Sequence, residues 1–231
     1  MSRRDELAAG LEAVRGRIDA ACTAAGRQPD EVVLVAVTKT WPASDVALLR
    51  DLGVRDAGEN KDAEAAAKAS EVDGVRWHFV GQLQTNKARS VASYASMVHS
   101  LDRARLARAL SDGAERVGRA LDVLVQVDLD EGADPGRGGA LPAGVPELAA
   151  LAAGLPGLRL AGVMAVAPRG ADPCTAFARL AQVSVLLRRD HPGATVVSAG
   201  MSGDLEAAIV EGATHVRVGT ALFGHRPPVL R

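Results

Sequence analysis

A single (β/α)8 barrel with one extra helix at its N-terminus is the fold class this sequence predicts, and three observations predict it. Eight short strand-like runs alternate with helical stretches along 231 residues. That suits a closed parallel barrel better than an open doubly wound sheet, which usually stops nearer about six strands. The first run, 32–37 (VVLVAV), is continuously apolar, the mark of a strand buried on both faces and flanked by helices. No break in composition, internal repeat or low-complexity tract marks a second domain, and a chain with 48% hydrophobic residues can bury the core of one large α/β unit.

Leu7, Leu11, Val14, Ile18 and Cys22 recur at steps of three and four, so they form one stripe of a helix that Gly26 can end. This helix precedes every strand and is expected to pack outside the ring. After the strand at 32–37 comes a helix at 44–52, with Ser44 as its N-cap and Gly53 at its end. Further strands are predicted at 54–57, 77–80, 97–101, 123–127, 158–163, 195–197 and 215–218, and helices at 60–69, 86–93, 103–117, 146–153, 175–188 and 202–211. Segment 130–144 (DEGADPGRGGALPAG) is rich in glycine and proline. It lies too deep in the alternation for a domain linker and is read as a long strand-to-helix loop on the active face.

The 27 basic and 28 acidic residues nearly cancel, which removes the long-range field that draws proteins to nucleic acid or anionic membrane. Neither is expected as a partner. Cys22 and Cys174 are too few and too isolated for a disulfide framework or a zinc site, and both are expected as buried small apolar residues in a reducing compartment. Charges run through the first 26 residues, leaving no apolar signal-peptide core, and no uncharged run approaches the length of a membrane span. A soluble cytoplasmic protein is the expectation.

In a barrel, functional residues gather at the C-terminal ends of strands and in the loops that follow. Lys39 closes the first strand. An ammonium beside so apolar a run is costly to desolvate, which favours a neutral amine able to attack an aldehyde; position alone favours a lysine that snorkels to the rim. The second strand ends in Gly58-Glu59-Asn60, and the third runs through His78 into Gln82-Leu83-Gln84-Thr85-Asn86-Lys87. Taken singly, His78 reads as a satisfied core histidine, Asn60 and Asn86 as helix caps, and Glu59 and Lys87 as solvated charges. The last two units are more specific. Ser198-Ala199-Gly200-Met201-Ser202-Gly203-Asp204 leads into a helix expected to begin near Ser202, and Val216-Arg217-Val218-Gly219-Thr220 ends the eighth strand. Small residues and unpaired helix donors there suit a phosphate, which barrels often hold after strands seven and eight. Plain helix capping by Ser202 and Asp204 would use the same donors. Arg217 would point into the mouth or the interior, where a guanidinium needs a partner.

The motifs VAVTKTWP around Lys39, GEN ending at Asn60, WHFVGQLQTNK at 77–87, HSLDR at 99–103, GVMAVAP at 162–168, and SAGMSGDLEAAI with VRVGTALFGHR towards the C-terminus span nearly the whole chain. In this order they resemble the pyridoxal phosphate homeostasis proteins, a family related to the barrel domain of alanine racemase. The resemblance implies a monomeric (β/α)8 barrel holding pyridoxal 5′-phosphate (PLP) as a Schiff base on Lys39. It also implies Asn60 near the cofactor ring, Ser202, Gly219 and Thr220 on the phosphate, Arg217 at the pyridine nitrogen, and Met201 flanking the site. An arginine there keeps that nitrogen unprotonated, because adjacent cations repel, and an unprotonated ring is a poor electron sink. There are departures. Where the family often reads SMGMSDD, this chain has Ala199 and Gly203, and Ala57 stands where an aromatic commonly precedes GEN. No role transfers to Arg137 or to His78.

The resemblance therefore implies a protein of PLP homeostasis that holds the reactive cofactor and releases it to apo-enzymes, with no catalytic or metal-ligating residue of its own. The alternative is a PLP-dependent amino acid racemase or decarboxylase. Racemase sites of this kind take a catalytic tyrosine from a second domain, whereas the sole tyrosine here is Tyr94, predicted on a helix away from the mouth. Two-face proton transfer would lack half its apparatus. A third function, binding another phosphorylated metabolite, would keep the phosphate site and give Lys39 no covalent role.

Overall fold

A computed structural model of the chain describes residues 1–130 and 138–224. Helix α1 (Arg3–Ala24) comes first, its start fixed by a capping box in which the Ser2 hydroxyl accepts from the Asp5 N–H and the Asp5 carboxylate accepts from the Ser2 N–H. The strands are β1 (Val33–Val37), β2 (Asp56–Glu59), β3 (Arg76–Phe79), β4 (Met97–Leu101), β5 (Leu121–Gln126), β6 (Leu158–Met164), β7 (Val196–Ser198) and β8 (His215–Val218). Each pairs in parallel with the next, and β8 pairs with β1 to close the barrel. The helices between them are α2 (Ala43–Asp51), α3 (Asp62–Glu71), α4 (Ala88–Tyr94), α5 (Ala104–Arg116), α6 (Val145–Gly154), α7 (Pro173–Asp190) and α8 (Leu205–Val210), with one further turn, α9 (Thr220–Phe223), after β8. The predicted fold class is the observed one.

The stripe Leu7, Leu11, Val14, Ile18 and Cys22 is buried, and it shares one apolar cluster with Ala36 of β1, Leu205 and Ile209 of α8, Val216 and Val218 of β8, and Leu222 and Phe223 of α9. Helix α1 thus covers the seam where the barrel closes. It lies so close to α9 that a side chain at Gly10 would run into the Leu222 carbonyl. Inside the barrel the lumen is divided. Met97 of β4, Leu124 of β5 and Met164 of β6 form an apolar cluster, and β4 and β6, which are not neighbours, meet only through the lumen. The remaining lumen is polar, with Asp56, His78, His99, Ser198 and Arg217 all buried.

Several expectations are corrected. Strand β2 lies two residues beyond its predicted place because its sequence, DAGE, carries no apolar pattern; its carboxylates are buried through ionic partners instead. Ser44 does not cap α2: Pro42 holds the N-cap position and Ser44 lies inside the first turn. Helix α8 starts at Leu205, so Ser202 sits in the turn before it. Cys22 is buried as expected, but Cys174, in the first turn of α7, is exposed. Of segment 130–144, Ala140 bridges to Val127 and a short 3-10 turn spans Pro142–Gly144. Residues 131–137, Arg137 among them, lie outside the described residues.

Candidate functional site at the barrel mouth

Strand β1 delivers Thr38, Lys39 and Thr40 to the rim, where the chain turns and the Trp41 N–H donates to the Thr38 carbonyl at 3.0 Å. Thr40 has φ 70° and is the one non-glycine residue with positive φ among those described. For a β-branched residue this conformation costs about 1–3 kcal/mol and persists only where neighbours impose it. The neighbours are on β2 and α3. Lys68 Nζ donates to the Thr38 carbonyl at 2.8 Å, to Glu59 Oε1 at 2.6 Å and to Glu64 Oε1 at 2.7 Å. Thr38 Oγ1 donates to Glu59 Oε1 at 2.5 Å, and the Thr40 N–H donates to Glu64 Oε1. Lys39 itself is half-buried between these anchored residues. Burial pushes the Glu59 carboxyl above its ordinary range, against the opposing pull of Lys68 and Thr38. Its Oε2 is buried and has no hydrogen-bond partner among the described residues. Glu59 is therefore no solvated charge, and Lys68, which sequence reasoning passed over, is nearly as buried.

On the other side of β1 lies β8, with Val35 opposite Arg217 and Ala36 opposite Val218. Carrying that register forward sets Gly219 beside Val37, and a Cβ at Gly219 would lie 3.4 Å from the Val37 carbonyl oxygen. Gly219 and Thr220 therefore stand next to the start of the Lys39 turn, since neighbouring strands run about 4.8 Å apart. Ser202 joins them: its hydroxyl accepts from the Ala221 N–H at 3.2 Å. The Ser202 turn is held by Asp204 Oδ1, which accepts from the Met201 N–H at 2.6 Å. It also depends on Gly200, whose φ of 86° and 2.7 Å clearance from Ala208 Cβ leave no room for a side chain. Among the described residues, the backbone N–H groups of Ser202 and Thr220 have no intramolecular partner. The donors lie in this loop and in the turn opening α9, a shift from the expectation that α8 would present them.

Arg217 is buried and points into the lumen. Its NH1 donates to Ser198 Oγ at 2.6 Å and its NH2 to the Ala165 carbonyl at 2.9 Å. These acceptors are neutral, and burial lowers its pKa to about 10 while Asp204 opposes the shift. Ser198 Oγ also meets His99 Nδ1 at 2.9 Å, His99 Nε2 meets His78 Nδ1 at 2.8 Å, and His78 Nε2 meets Asp56 Oδ1 at 2.9 Å. His78 is thus the satisfied core histidine that one reading allowed. Burial, aided by His78 and Arg217, holds His99 well below the usual histidine range, and burial and His78 lower His215 to about 4.

Asn60 follows β2, and its backbone packs against Gly81 so tightly that a side chain at Gly81 would collide with it. With Met201, Gln82, Gln126 and Asp128, Asn60 lines a cavity of about 660 Å³ at the mouth. It caps nothing: Lys61 holds the N-cap of α3, and Asn86 lies in a short 3-10 turn, Thr85–Lys87. Lys87 Nζ lies 3.9 Å from Asp62 Oδ2. Tyr94 ends α4, its hydroxyl 3.4 Å from Asp62 Oδ1, and burial raises its pKa.

The structure thus brings Ser202, Gly219 and Thr220 together beside the turn bearing Lys39, and sets Asn60 and Met201 on one cavity. The sequence of the "Alanine racemase, N-terminal domain" family matches residues 10–227. The pyridoxal phosphate homeostasis protein of Mycobacterium tuberculosis H37Rv is 42% identical over 245 residues, covering 97% of this chain and 94% of that protein. The protein of the same name from Escherichia coli K12 is 40% identical over 230 residues, covering 96% and 97%. Among solved structures, PipY of Synechococcus elongatus PCC7942 with PLP bound matches with a TM-score of 0.82 at 32% identity, covering 94% of this chain and 100% of that one.

Proposed function

Because the chain belongs to the pyridoxal phosphate homeostasis protein family, built on the alanine racemase N-terminal domain, we propose that it is a single-domain PLP carrier. It holds the cofactor as a Schiff base on Lys39 and hands it to apo-enzymes inside the cell, without turning over a substrate of its own. The observation that carries this reading is the contact of Gly219 with Val37, which sets phosphate-type donors and the Lys39 turn side by side on one rim. A family relative, PipY, has been solved with PLP bound.

The residues present fit such a group. The N–H groups of Ser202 and Thr220, which have no partner among the described residues, suit an anion. Arg217 uses two donors on neutral acceptors and has others to offer; facing a ring nitrogen, it would keep that nitrogen unprotonated. Asn60 would stand beside the ring, and Met201 flanks the mouth, where it is 40% exposed. PLP bound here would supply an aldehyde that exchanges between amines, a reversibility that suits a carrier. Tyr94 is engaged with Asp62 on the helical layer.

The test is spectroscopic. Purified protein mixed with PLP should develop an imine absorbance band that borohydride bleaches and Lys39→Ala abolishes. A band surviving in Lys39→Ala would remove the covalent role, and Lys39-dependent racemisation or decarboxylation of any amino acid would replace the carrier with an enzyme.

A further inference from the structure

The polar half of the lumen is a single chain of hydrogen bonds with an obligate donor at one end and an obligate acceptor at the other. At one end Arg217 can only donate, and it fills one lone pair of Ser198 Oγ. At the other end stands Asp56, the first residue of β2. It lines a cavity of about 410 Å³ at the N-terminal ends of the strands with Arg15, Arg55 and Arg76. Burial works against the Asp56 carboxylate, but hydrogen bonds from His78 and from Arg76, at 2.7 Å, hold its pKa below the ordinary range. As an anion it can only accept. With both histidines neutral, each proton between these ends has one consistent place: Ser198 gives its hydrogen to His99 Nδ1, His99 gives its Nε2 hydrogen to His78 Nδ1, and His78 gives its Nε2 hydrogen to Asp56.

We propose that His99, His78 and Asp56 are positioning residues for the cofactor site, acting through Ser198 to hold the Arg217 guanidinium in place from the opposite end of the barrel. This deepens the carrier reading and rests on Arg217 meeting the ring nitrogen. The link follows from the Ser198 hydroxyl, which has one hydrogen and is committed to His99, so the face towards Arg217 presents a lone pair. Were His99 to present N–H at Nδ1, Ser198 would have to accept from both sides. The other groups facing the chain are the His215 ring, 6.2 Å from His78 and 6.5 Å from His99 and turned by Nδ1 towards Thr214, and Asp204, which acts on Arg217. The apolar cluster of Met97, Leu124 and Met164 offers the chain no competing acceptor.

Nitrogen-15 NMR of histidine-labelled full-length protein without cofactor reads the tautomers directly. His78 and His99 should both be neutral with the hydrogen on Nε2, and a hydrogen on Nδ1 of His99 would overturn the proposal. PLP titration then tests the link. Loss of one hydrogen bond to a charged group corresponds to roughly a tenfold rise in Kd, expected for His99→Leu and largely rescued in His99→Gln, whose amide can both accept from Ser198 and donate to His78. Unchanged Kd in folded His99→Leu would sink the proposal, as would equal losses in both variants. Arg217→Ala separates the two claims. If it leaves Kd unchanged, the placement of the ring nitrogen fails; if it weakens binding while His99→Leu does not, the positioning chain fails alone.

Discussion

Lys68 shows how one buried charge can hold the turn that carries Lys39. Its ammonium meets two carboxylates and the Thr38 carbonyl, and it is held 7% exposed. Replacing it by methionine keeps the volume and strands Glu59 without its cation, so Lys68→Met should cost about 3–5 kcal/mol in urea unfolding, the range for breaking a buried pair by removing one partner. Lys68→Arg should recover part of that loss, and a near-neutral Lys68→Met would show that the triad does not support the turn. The gathering of Lys39, Ser202, Gly219 and Thr220 on one rim was legible in the sequence because small residues and a lysine at strand ends stand out. Lys68 was not. Its place depends on Glu59 and Glu64 arriving from β2 and α3 at one point, and a lone lysine in the helical run DAEAAAKASE looks like an ordinary solvated side chain. Ser198 and His99 were visible only as parts of motifs, since strands β7 and β4 touch solely across the lumen.

At the scale of elements, the contact of α1 with α9 carries the sharpest packing constraint. A Cβ at Gly10 meets the Leu222 carbonyl, and backbone does not yield as a side chain does. Gly10→Ala should therefore destabilise by about 1–3 kcal/mol as overpacking does, despite the better helix propensity of alanine. A rise in the urea midpoint would refute the close approach. On the proposed function the same variant should also weaken PLP binding, because α9 opens with Thr220, which would hold the phosphate. Long periodic elements such as α1, and apolar strands such as β1, were readable because burial imposes a pattern on them. Strand β2 and the start of α8 were not. DAGE is buried by ion pairing and close backbone packing, neither of which leaves a hydrophobic signature, and the turn before α8 is set by Gly200 and Asp204 in place of a capping hydroxyl.

For the molecule as a whole, the divided lumen makes stability depend on pH. The folded protein resists protonating His99 and His215, whereas the unfolded chain takes those protons near the ordinary histidine value of 6.5. Stability should be fully present above that value and fall as pH drops from 6.5 towards about 4. With two protons in play the slope reaches up to about 2.7 kcal/mol per pH unit, partly offset by Glu59, whose raised pKa favours the fold in acid. Replacing His215 by asparagine should lower the slope by about 1.4 kcal/mol per pH unit, measured from urea midpoints across the range; an unchanged slope would show that His215 takes its proton in the fold as readily as outside it. The seam between β1 and β8 carries a further consequence. The turn bearing Lys39 emerges early in translation, while Gly219 and Thr220 emerge among the last residues of the barrel. On the proposed function, a nascent chain would expose the Lys39 amine long before it could grip a phosphate, and the capacity to hold the cofactor would arrive in one step when the final strand docks against the first.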